Sequence, residues 1–404
     1  MTSITDPPQG AFRLSMLIND TRYRSYTFQF IALMVLIAAI AYLFANLRSN
    51  LEAAGLNISF DFLRDPAGYD INQRPIEYDS QSSHLRASTV GVLNTLIVAF
   101  LACVTATIFG VIAGVLRLSN NWVVSKLMAM YVEMFRNVPV LIWIIIIFSI
   151  MTVSMPAPRA FRGDDPAATM LFDAFAFTNR GVYIPKPVLD SGGLVVIAVF
   201  ILSIIGIFGY RRYATKKLYA TGQLLPTFWP SVAMFFVPTL LFYFILGRPI
   251  TLEYPSLQGF NFQGGIQLRG SLIALWFALA IYTGAFIAEN VRAGIQAISK
   301  GQTEAAASLG LRPGRIMNLV ILPQALRVII PPLISQYLNI TKNSSLAIAV
   351  GYMDVTATLG GITLNQTGRA IEAILLLMLF YLTISLLISA VMNVYNNSVK
   401  LKER

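Results

Sequence analysis

Eight long runs of apolar residues limit what this sequence can fold into more than any other feature. A helix needs about 20 apolar residues to cross the hydrocarbon core of a bilayer. Of the 404 residues, 56% are hydrophobic and only 12% are charged, against about 25% charged residues in soluble domains. The mean hydropathy is +0.66. The sequence therefore predicts an all-α integral membrane protein with about eight transmembrane helices, placed at 30–47, 89–116, 127–153, 192–210, 229–246, 271–287, 328–350 and 371–394.

Two of these runs contain residues that transmembrane helices tolerate only under special conditions. The third run includes Pro139. The seventh run includes Pro331, Pro332, Asn339, Lys342 and Asn343. Such residues are accepted where neighbouring helices or a water-filled cavity satisfy the backbone and the polar side chains. Both runs are therefore expected to face protein or water on one side.

Basic residues predict the orientation of the helices. The chain has 30 Lys and Arg against 19 Asp and Glu, which gives a net charge of +11. Because Lys and Arg favour cytoplasmic connections, we expect both termini in the cytoplasm and see no need for a nucleic-acid partner. The cations on that side are Arg13, Arg22, Arg24, Arg117, Lys126, Arg211, Arg212, Lys216, Lys217, Arg292, Lys300, Arg312, Arg315, Arg327, Lys400, Lys402 and Arg404.

The connection between the sixth and seventh runs contains a short amphipathic element. Its Ala-rich segment, 304–309, favours a helix, and Gly310 is suited to end that helix in a left-handed turn. A second helical piece follows, and Pro323 interrupts it. A helix this short is not stable alone, so it either docks into a partner's groove or lies as an ordinary helix at the membrane surface.

This connection resembles the EAA loop of the membrane subunits of ABC importers. The matching pattern is Glu304-Ala305-Ala306, three residues, Gly310, nine residues and then Val320-x-Leu322-Pro323, with Val320 where the usual motif has Ile. The stretches "AENVRAGIQAISKGQTEAAASLG" and "YVEMFRNVPVLIW" are similar to permeases of the polar amino-acid uptake subfamily, the histidine and glutamine type.

The resemblance covers 88–155 and 271–396 and leaves 156–270 as an insertion with two extra helices. That insertion, together with "GLNISFDFLRDPAGYDI", resembles the general L-amino-acid transporter branch of Gram-negative bacteria. The domain organisation that follows is a cytoplasmic tail 1–28, a first helix and periplasmic loop 29–87, a permease core 88–155, the insertion 156–270, a second core part 271–396 with the coupling loop 301–325, and a cytoplasmic tail 397–404. The run 30–47 could instead be a cleaved signal peptide, but its polar leader of roughly thirty residues is long for one.

The resemblance implies a type I importer permease in the bacterial inner membrane that moves L-amino acids inward by alternating access. The implied partners are a second homologous permease, an ATP-binding subunit dimer and a periplasmic amino-acid-binding protein. The residues that match the coupling motif and its flanks are Glu304, Ala305, Ala306, Gly310, Leu311, Leu322 and Pro323.

No catalytic or cofactor motif accompanies this pattern. A phosphate-binding loop of the form GxxxxGK[ST] requires a Gly-Lys pair, which the chain lacks, and no Ser/His/Asp arrangement can be built around its one histidine, His84. We expect no cofactor in this chain, with ATP and Mg on the partner ATPase, and we expect His84 to lie in a solvated polar turn. The lone Cys103 and the absence of a ligand cluster also argue against a metal site.

Polar residues in the seventh run are the candidate substrate contacts. At 3.6 residues per turn Gln336, Asn339 and Asn343 lie close to one face of a helix, and Ser344 follows them. In related permeases the positions matching Gln336 and Asn343 often carry Glu and Asp that contact a cationic amino acid, so the amides argue against an importer of lysine and arginine alone. The alternative interpretation is that these amides hold helices together.

Three smaller features complete the predictions. Glu133 with Arg136, and Glu289 with Arg292, have the i, i+3 spacing of helical ion pairs. Gly110 and Gly114 form a small-xxx-small pattern that favours close helix packing.

Two rival functions remain possible: a self-sufficient ion-coupled transporter, which would require buried acidic relays and repeated halves, and a structural membrane scaffold.

Overall fold

The computed structural model describes residues 16–19, 21–53, 55, 57–163, 165–223 and 225–399. The chain divides into two compact units, Met1–Phe62 and Leu63–Arg404. In the first unit, the described helices are α1 (Met16–Asn19) and α2 (Thr21–Ala53). Of the predicted tail 1–28, residues 1–15 and 20 lie outside the described residues, and α1 and the first residues of α2 occupy the rest.

The second unit consists mainly of helices. In order these are α3 (His84–Arg117), α4 (Trp122–Asn137), α5 (Val140–Ser154), α6 (Gly193–Thr221), α7 (Phe228–Ile245), α8 (Gly270–Gln296), α9 (Lys300–Ser308), α10 (Pro313–Ile316), α11 (Leu322–Asn343), α12 (Leu364–Thr367) and α13 (Ala370–Val399). Two π-helices, Met317–Ile321 and Thr356–Thr363, and a 3₁₀ helix, Ser344–Val350, lie between the later ones.

Across the described part of the chain, seven helices are long and apolar enough to cross a bilayer, and a bent pair brings the number to as many as eight. The prediction of about eight membrane helices is confirmed. The third of them, however, is not one straight span, since α4 and α5 meet at an angle of 105°. The cause lies at Val138 and Pro139: Pro139 has no backbone N–H to donate, and Val138 before it is extended.

A small β layer, which the sequence patterns did not indicate, is formed by the two segments that flank the α6–α7 pair. Its strands are β1 (Ala176–Thr178), β2 (Gly181–Ile184), β3 (Lys186–Leu189), β4 (Ile250–Glu253), β5 (Ser256–Gln258), β6 (Asn261–Gln263) and β7 (Ile266–Arg269). All pairings are antiparallel, in the orders β1-β2-β7, β3-β4 and β5-β6. Tyr183 and Phe262 are buried between the two segments, so the segments fold together.

The centre of the second unit is the contact between α3 and α8. A Cβ atom on Gly110 would lie 2.5 Å from Cβ of Ile287, and one on Gly114 would lie 2.7 Å from the Ala288 carbonyl oxygen. Only glycine allows the two backbones to approach so closely. The predicted small-xxx-small packing is confirmed, with α8 as the partner helix.

Residues 63–83 fold back over the first turns of α3. Ile71 and Tyr78 pack against this helix, and Tyr69 lies beside the ring of His84 with its hydroxyl 3.3 Å from Thr363 Oγ1. His84 is only 4% exposed, and its Nδ1 lies 3.0 Å from the same hydroxyl oxygen. The expectation of a solvated turn at His84 is therefore wrong, because a segment distant in sequence covers it.

Gly110→Ala should destabilise the protein, by about 1–3 kcal/mol, because the added methyl group overpacks the α3–α8 contact. Gly209→Ala is the matched control: Gly209 also lies in a helix, but nothing is within 4 Å of an added Cβ, so alanine there should be neutral or stabilising. Thermal unfolding of the detergent-purified proteins measures both. Equal melting temperatures for the two variants would contradict this account of the contact.

Candidate functional site

Helix α9 presents almost its whole surface to the surroundings. Within the residues that match the EAA pattern, Ala306 is buried, whereas Glu304 and Ala305 are exposed. The helix ends where Gly310 adopts a positive φ of 76° and its N–H donates to the Ala307 carbonyl oxygen at 2.9 Å. The left-handed turn predicted at Gly310 is confirmed, since a residue with a side chain would be strained there.

Several large apolar side chains beside α9 are also uncovered. Leu309 is 81% exposed and Leu319 is 60% exposed. Met317 and Leu322 are exposed as well, while Leu311 is half-buried. A helix that buries only one of its own residues, with apolar groups uncovered around it, suits a surface that another protein covers. The EAA motif identified Glu304 and its neighbours in the sequence, whereas the exposure of Leu309 and Leu319 is evident only from the fold.

The connection from α9 to the membrane helix α11 is short and specifically bonded. Pro313 starts α10, the π-helix Met317–Ile321 follows, and Pro323 occupies the first turn of α11. The Gln324 amide donates to the Val320 carbonyl oxygen at 2.9 Å and to Gln302 Oε1 of α9 at 3.5 Å. The short connection and the contact between Gln302 and Gln324 therefore link α9 to the beginning of α11.

Ionised side chains join three helices near this connection. Glu289 of α8 accepts hydrogen bonds from Arg292 on its own helix and from Arg117 of α3. Arg117 also lies 3.7 Å from Glu133 of α4. The predicted pair of Glu289 and Arg292 is confirmed. The predicted pair of Glu133 and Arg136 is wrong, because the Arg136 guanidinium lies over the ring of Phe286 on α8, 5.3 Å from its centroid.

The candidate substrate residues, three on α11 and Ser344 directly after it, separate into two environments. Gln336 and Asn343 are half-buried and Asn339 is exposed, whereas Ser344 is fully buried and donates to the Thr341 carbonyl oxygen at 2.7 Å. Within the described residues, no side-chain hydrogen bond involves any of the three amides. Ser344 therefore belongs to the internal packing at the end of the helix, and only the amides lie together.

The exposed side of α11 is polar over two turns. Ser335 and Lys342 are exposed on either side of Asn339, and positions 335, 339 and 342 follow helical spacing. Within the described chain, Lys342 has no ion pair. An ammonium group facing hydrocarbon is costly, so this face requires protein or water opposite it.

Asp354 lies in the segment that follows α11, at the level of the first turns of α3. This segment is fastened to α3 by the Tyr352 hydroxyl, which donates to the Asn94 carbonyl oxygen at 2.9 Å, and by the Val355 N–H, which donates to Thr95 Oγ1 at 3.1 Å. Asp354 is fully buried and accepts from the Ala357 N–H at 2.9 Å. Burial raises the pKa of Asp354 to about 6.

Comparison with known proteins identifies the class. The family described as "Binding-protein-dependent transport system inner membrane component" matches residues 209–401. The glutamate/glutamine/aspartate/asparagine transport system permease protein BztB of Rhodobacter capsulatus is 51% identical over the full length of both chains. The general L-amino acid transport system permease protein AapQ of Rhizobium johnstonii is 41% identical over 99% of this chain and 98% of its own. The putative amino-acid ABC transporter permease protein YhdX of Escherichia coli is 44% identical over 96% and 98%.

The exposed EAA helix and the full-length permease relatives together identify this chain as a transport permease. The chain belongs to the amino-acid ABC transporter permeases, the inner membrane components of binding-protein-dependent transport systems. The predicted family is confirmed, and the relatives do not support the ion-coupled alternative. Permeases of this family are multi-pass membrane subunits, not enzymes themselves, and they work in systems with ATPase and binding-protein partners.

Asp354→Asn should reduce the dependence of stability on pH. Because the folded-state pKa of about 6 lies above the ordinary value of 3.8, this carboxyl group favours the folded state at low pH, and the advantage is lost as the pH rises from about 4 to about 6. Asparagine keeps an acceptor for the Ala357 N–H but cannot ionise. The variant should therefore unfold at a higher temperature than the wild type at pH 7.5, with little difference at pH 4.

The control for this prediction is Asp79→Asn. A hydrogen bond from Ser82 lowers the pKa of Asp79, so this carboxyl group lacks the raised folded-state pKa on which the prediction for Asp354 rests. Thermal unfolding between pH 4 and 7.5 should show the wild-type profile for this variant. A wild-type profile for Asp354→Asn as well would show that Asp354 does not carry the buried ionisation.

Proposed function

We propose that this chain is one of two permease subunits that carry L-amino acids from the periplasm to the cytoplasm by alternating access. The observation that carries the proposal is the joint between α9 and α11: an uncovered docking helix is bonded, through Gln302 and Gln324, to the membrane helix with the uncovered polar face. The exposed helix α9 suits the docking of a partner protein, and the polar face of α11 suits contact with a polar solute.

The proposed coupling surface consists of α9 and the apolar side chains around it. Glu304, Ala305 and Leu309 would contact a groove of the ATPase, and Gly310 would fix the turn that presents them. Leu322 would extend this surface, whereas Leu311 and Pro323 would act behind it, since Pro323 lies in the first turn of α11. Closure of the ATPase dimer on ATP and Mg, neither of which this chain needs to bind, would pull α9 and tilt α11.

The proposed substrate path runs along the polar face of α11. A second permease subunit would cover this face and leave water between the two chains, which removes the cost of exposing Asn339 and Lys342 to lipid. The amides of Gln336, Asn339 and Asn343 can each donate and accept hydrogen bonds. The ammonium of Lys342 suits the carboxylate that all amino acids carry.

The proposed substrates are polar L-amino acids, including acidic ones. Neutral amides and an uncompensated ammonium along the path favour an anionic or neutral side chain over a cationic one. The relative BztB, which shares 51% of its residues, is named for glutamate, glutamine, aspartate and asparagine, and AapQ is named for general L-amino acids. Both names agree with this substrate class.

The proposed assembly contains this chain, a second homologous permease, an ATPase dimer and a binding protein. The ends of α3 and α8 that carry Arg117 and Arg292 would be cytoplasmic, and both termini are proposed to lie on that side, as the basic residues near them favour. The β layer and residues 63–83 would then face the periplasm, on the side from which the binding protein delivers substrate.

Glu304→Lys and Gly310→Pro should each uncouple transport while the protein stays in the membrane. The first reverses a charge on the docking surface, and the second cannot adopt the positive φ of 76° or donate the hydrogen bond to Ala307. Uptake of radiolabelled glutamine by the complete transporter should fall at least about tenfold at unchanged membrane level. Glu52→Lys, a reversal at an exposed surface ion pair, should transport normally, and normal uptake in both test variants would reject the coupling surface.

Gln336→Ala and Asn343→Ala should change the ranking of acidic, neutral and basic amino acids in uptake assays. One good hydrogen bond is worth about 0.5–1.5 kcal/mol, so shifts of several-fold are expected, not abolition. Gln29→Ala, which removes an exposed amide from α2, is the control and should keep the wild-type ranking. If the test variants lose assembly in proportion to uptake while the ranking stays fixed, the amides hold helices together and the path lies elsewhere.

A further inference from the structure

Helix α6 is longer than a bilayer requires. Its 29 residues extend about 43 Å at 1.5 Å per residue, against about 30 Å for the hydrocarbon core. The residues from Gly193 to Gly209 carry no charge, and the first cations, Arg211 and Arg212, come directly after the length that spans the core. The last three turns of α6 therefore project into the headgroup layer, at the end remote from the β layer.

Four cations cluster on this projecting end: Arg211, Arg212, Lys216 and Lys217. The sequence contains no Asp or Glu from 191 to 252, and no ion pair joins any of the four to another described residue. The Arg211 Nε–H makes a single long contact, 3.4 Å to Ser231 Oγ. The contrast with Arg117 and Arg292, which share the carboxylate of Glu289, shows that this cluster is not neutralised within the described chain.

Aromatic side chains surround the cluster. Tyr219 is 85% exposed and Trp229 is 74% exposed, and Tyr213 and Phe228 are exposed as well. Such residues are typical of the interface between hydrocarbon and headgroups. The Tyr210 hydroxyl donates to the Pro226 carbonyl oxygen at 2.7 Å, which ties the start of this projecting end to the connection that leads into α7.

The remaining surface of the α6–α7 pair indicates what lies next to the cluster. Along both helices large apolar side chains are exposed, among them Leu202, Ile205, Val237 and Phe244. Only lipid or another apolar surface can cover them. Where acyl chains cover this helix pair, the basic cluster at its end lies at the depth of the lipid phosphates.

We propose that Arg211, Arg212, Lys216 and Lys217 form a binding site for the headgroups of anionic phospholipids. The cations supply charge-assisted hydrogen bonds to phosphate oxygens, and the aromatic side chains hold the glycerol and upper acyl region. The inserted helix pair is thereby anchored at a fixed depth beside the transport core. This inference concerns the insertion and does not depend on the proposed transport path.

The test uses the complete transporter in nanodiscs that contain phosphatidylglycerol and phosphatidylcholine. The variant Arg212→Gln/Lys216→Gln/Lys217→Gln is compared with Arg159→Gln/Arg162→Gln, which neutralises two cations of the β layer side. Native mass spectrometry after extraction counts the retained phosphatidylglycerol. The test variant should retain at least about tenfold less of it than the wild type, while the control retains the wild-type amount.

Two further measurements keep the outcome unambiguous. Should the triple variant fail to accumulate, Lys216→Gln and Lys217→Gln alone should each lower retention about threefold, and the charge-preserving Arg212→Lys should leave it unchanged. Equal retention by test and control variants would overturn the proposal. Displacement of the lipid by millimolar inorganic phosphate would also overturn it, because the site would then recognise a free anion instead of a lipid headgroup.

Discussion

The close approach of α3 and α8 at Gly110 and Gly114 is the contact on which the rest of the permease unit depends. Bulk hydrophobicity does not drive helices together in lipid, so van der Waals packing at small residues has to do so. Once these two helices are in contact, Arg117 at the end of α3 reaches Glu289 of α8, and α11 packs against the same pair, where the Tyr337 hydroxyl lies 2.8 Å from Thr107 Oγ1. Helix α9 and the polar face of α11 are thus both attached to this pair of packed helices.

The same packing leaves the unit incomplete. Asn339 and Lys342 are exposed on one side, and Leu309 and Leu319 are uncovered beside α9. Lipid does not solvate the ammonium group on the polar face, and water does not favour the exposed leucines beside α9. Each surface is therefore energetically unfavourable unless something covers it. Two chemically different surfaces of the chain are therefore left uncovered, which agrees with a family whose members work within ABC transport systems.

The parts of this fold that were predictable are those encoded by local patterns. Apolar runs of sufficient length located the membrane helices, the Gly310 turn followed from the Ala-rich segment before it, and the small-xxx-small spacing identified a packing face.

The parts that were not predictable depend on residues far apart in sequence. His84 is buried by Tyr69 and by the π-helix Thr356–Thr363, and Arg136 prefers the ring of Phe286 to its neighbour Glu133. The β layer joins segments separated by two helices, and its strands of three or four residues are too short for a clear alternation. Likewise the burial of Asp354, and with it the raised pKa, follows only from how its segment packs on α3.

The most direct test of the central claim is to identify what α9 touches in the assembled transporter. A photo-reactive amino acid replacing Ala305, which is exposed and carries little side chain of its own, would be activated in intact membranes and the adduct identified by mass spectrometry. The account predicts a cross-link to the ATPase subunit, in a yield that changes when ATP is bound. Cross-links to lipid alone, in membranes where the complex is assembled and active, would contradict it.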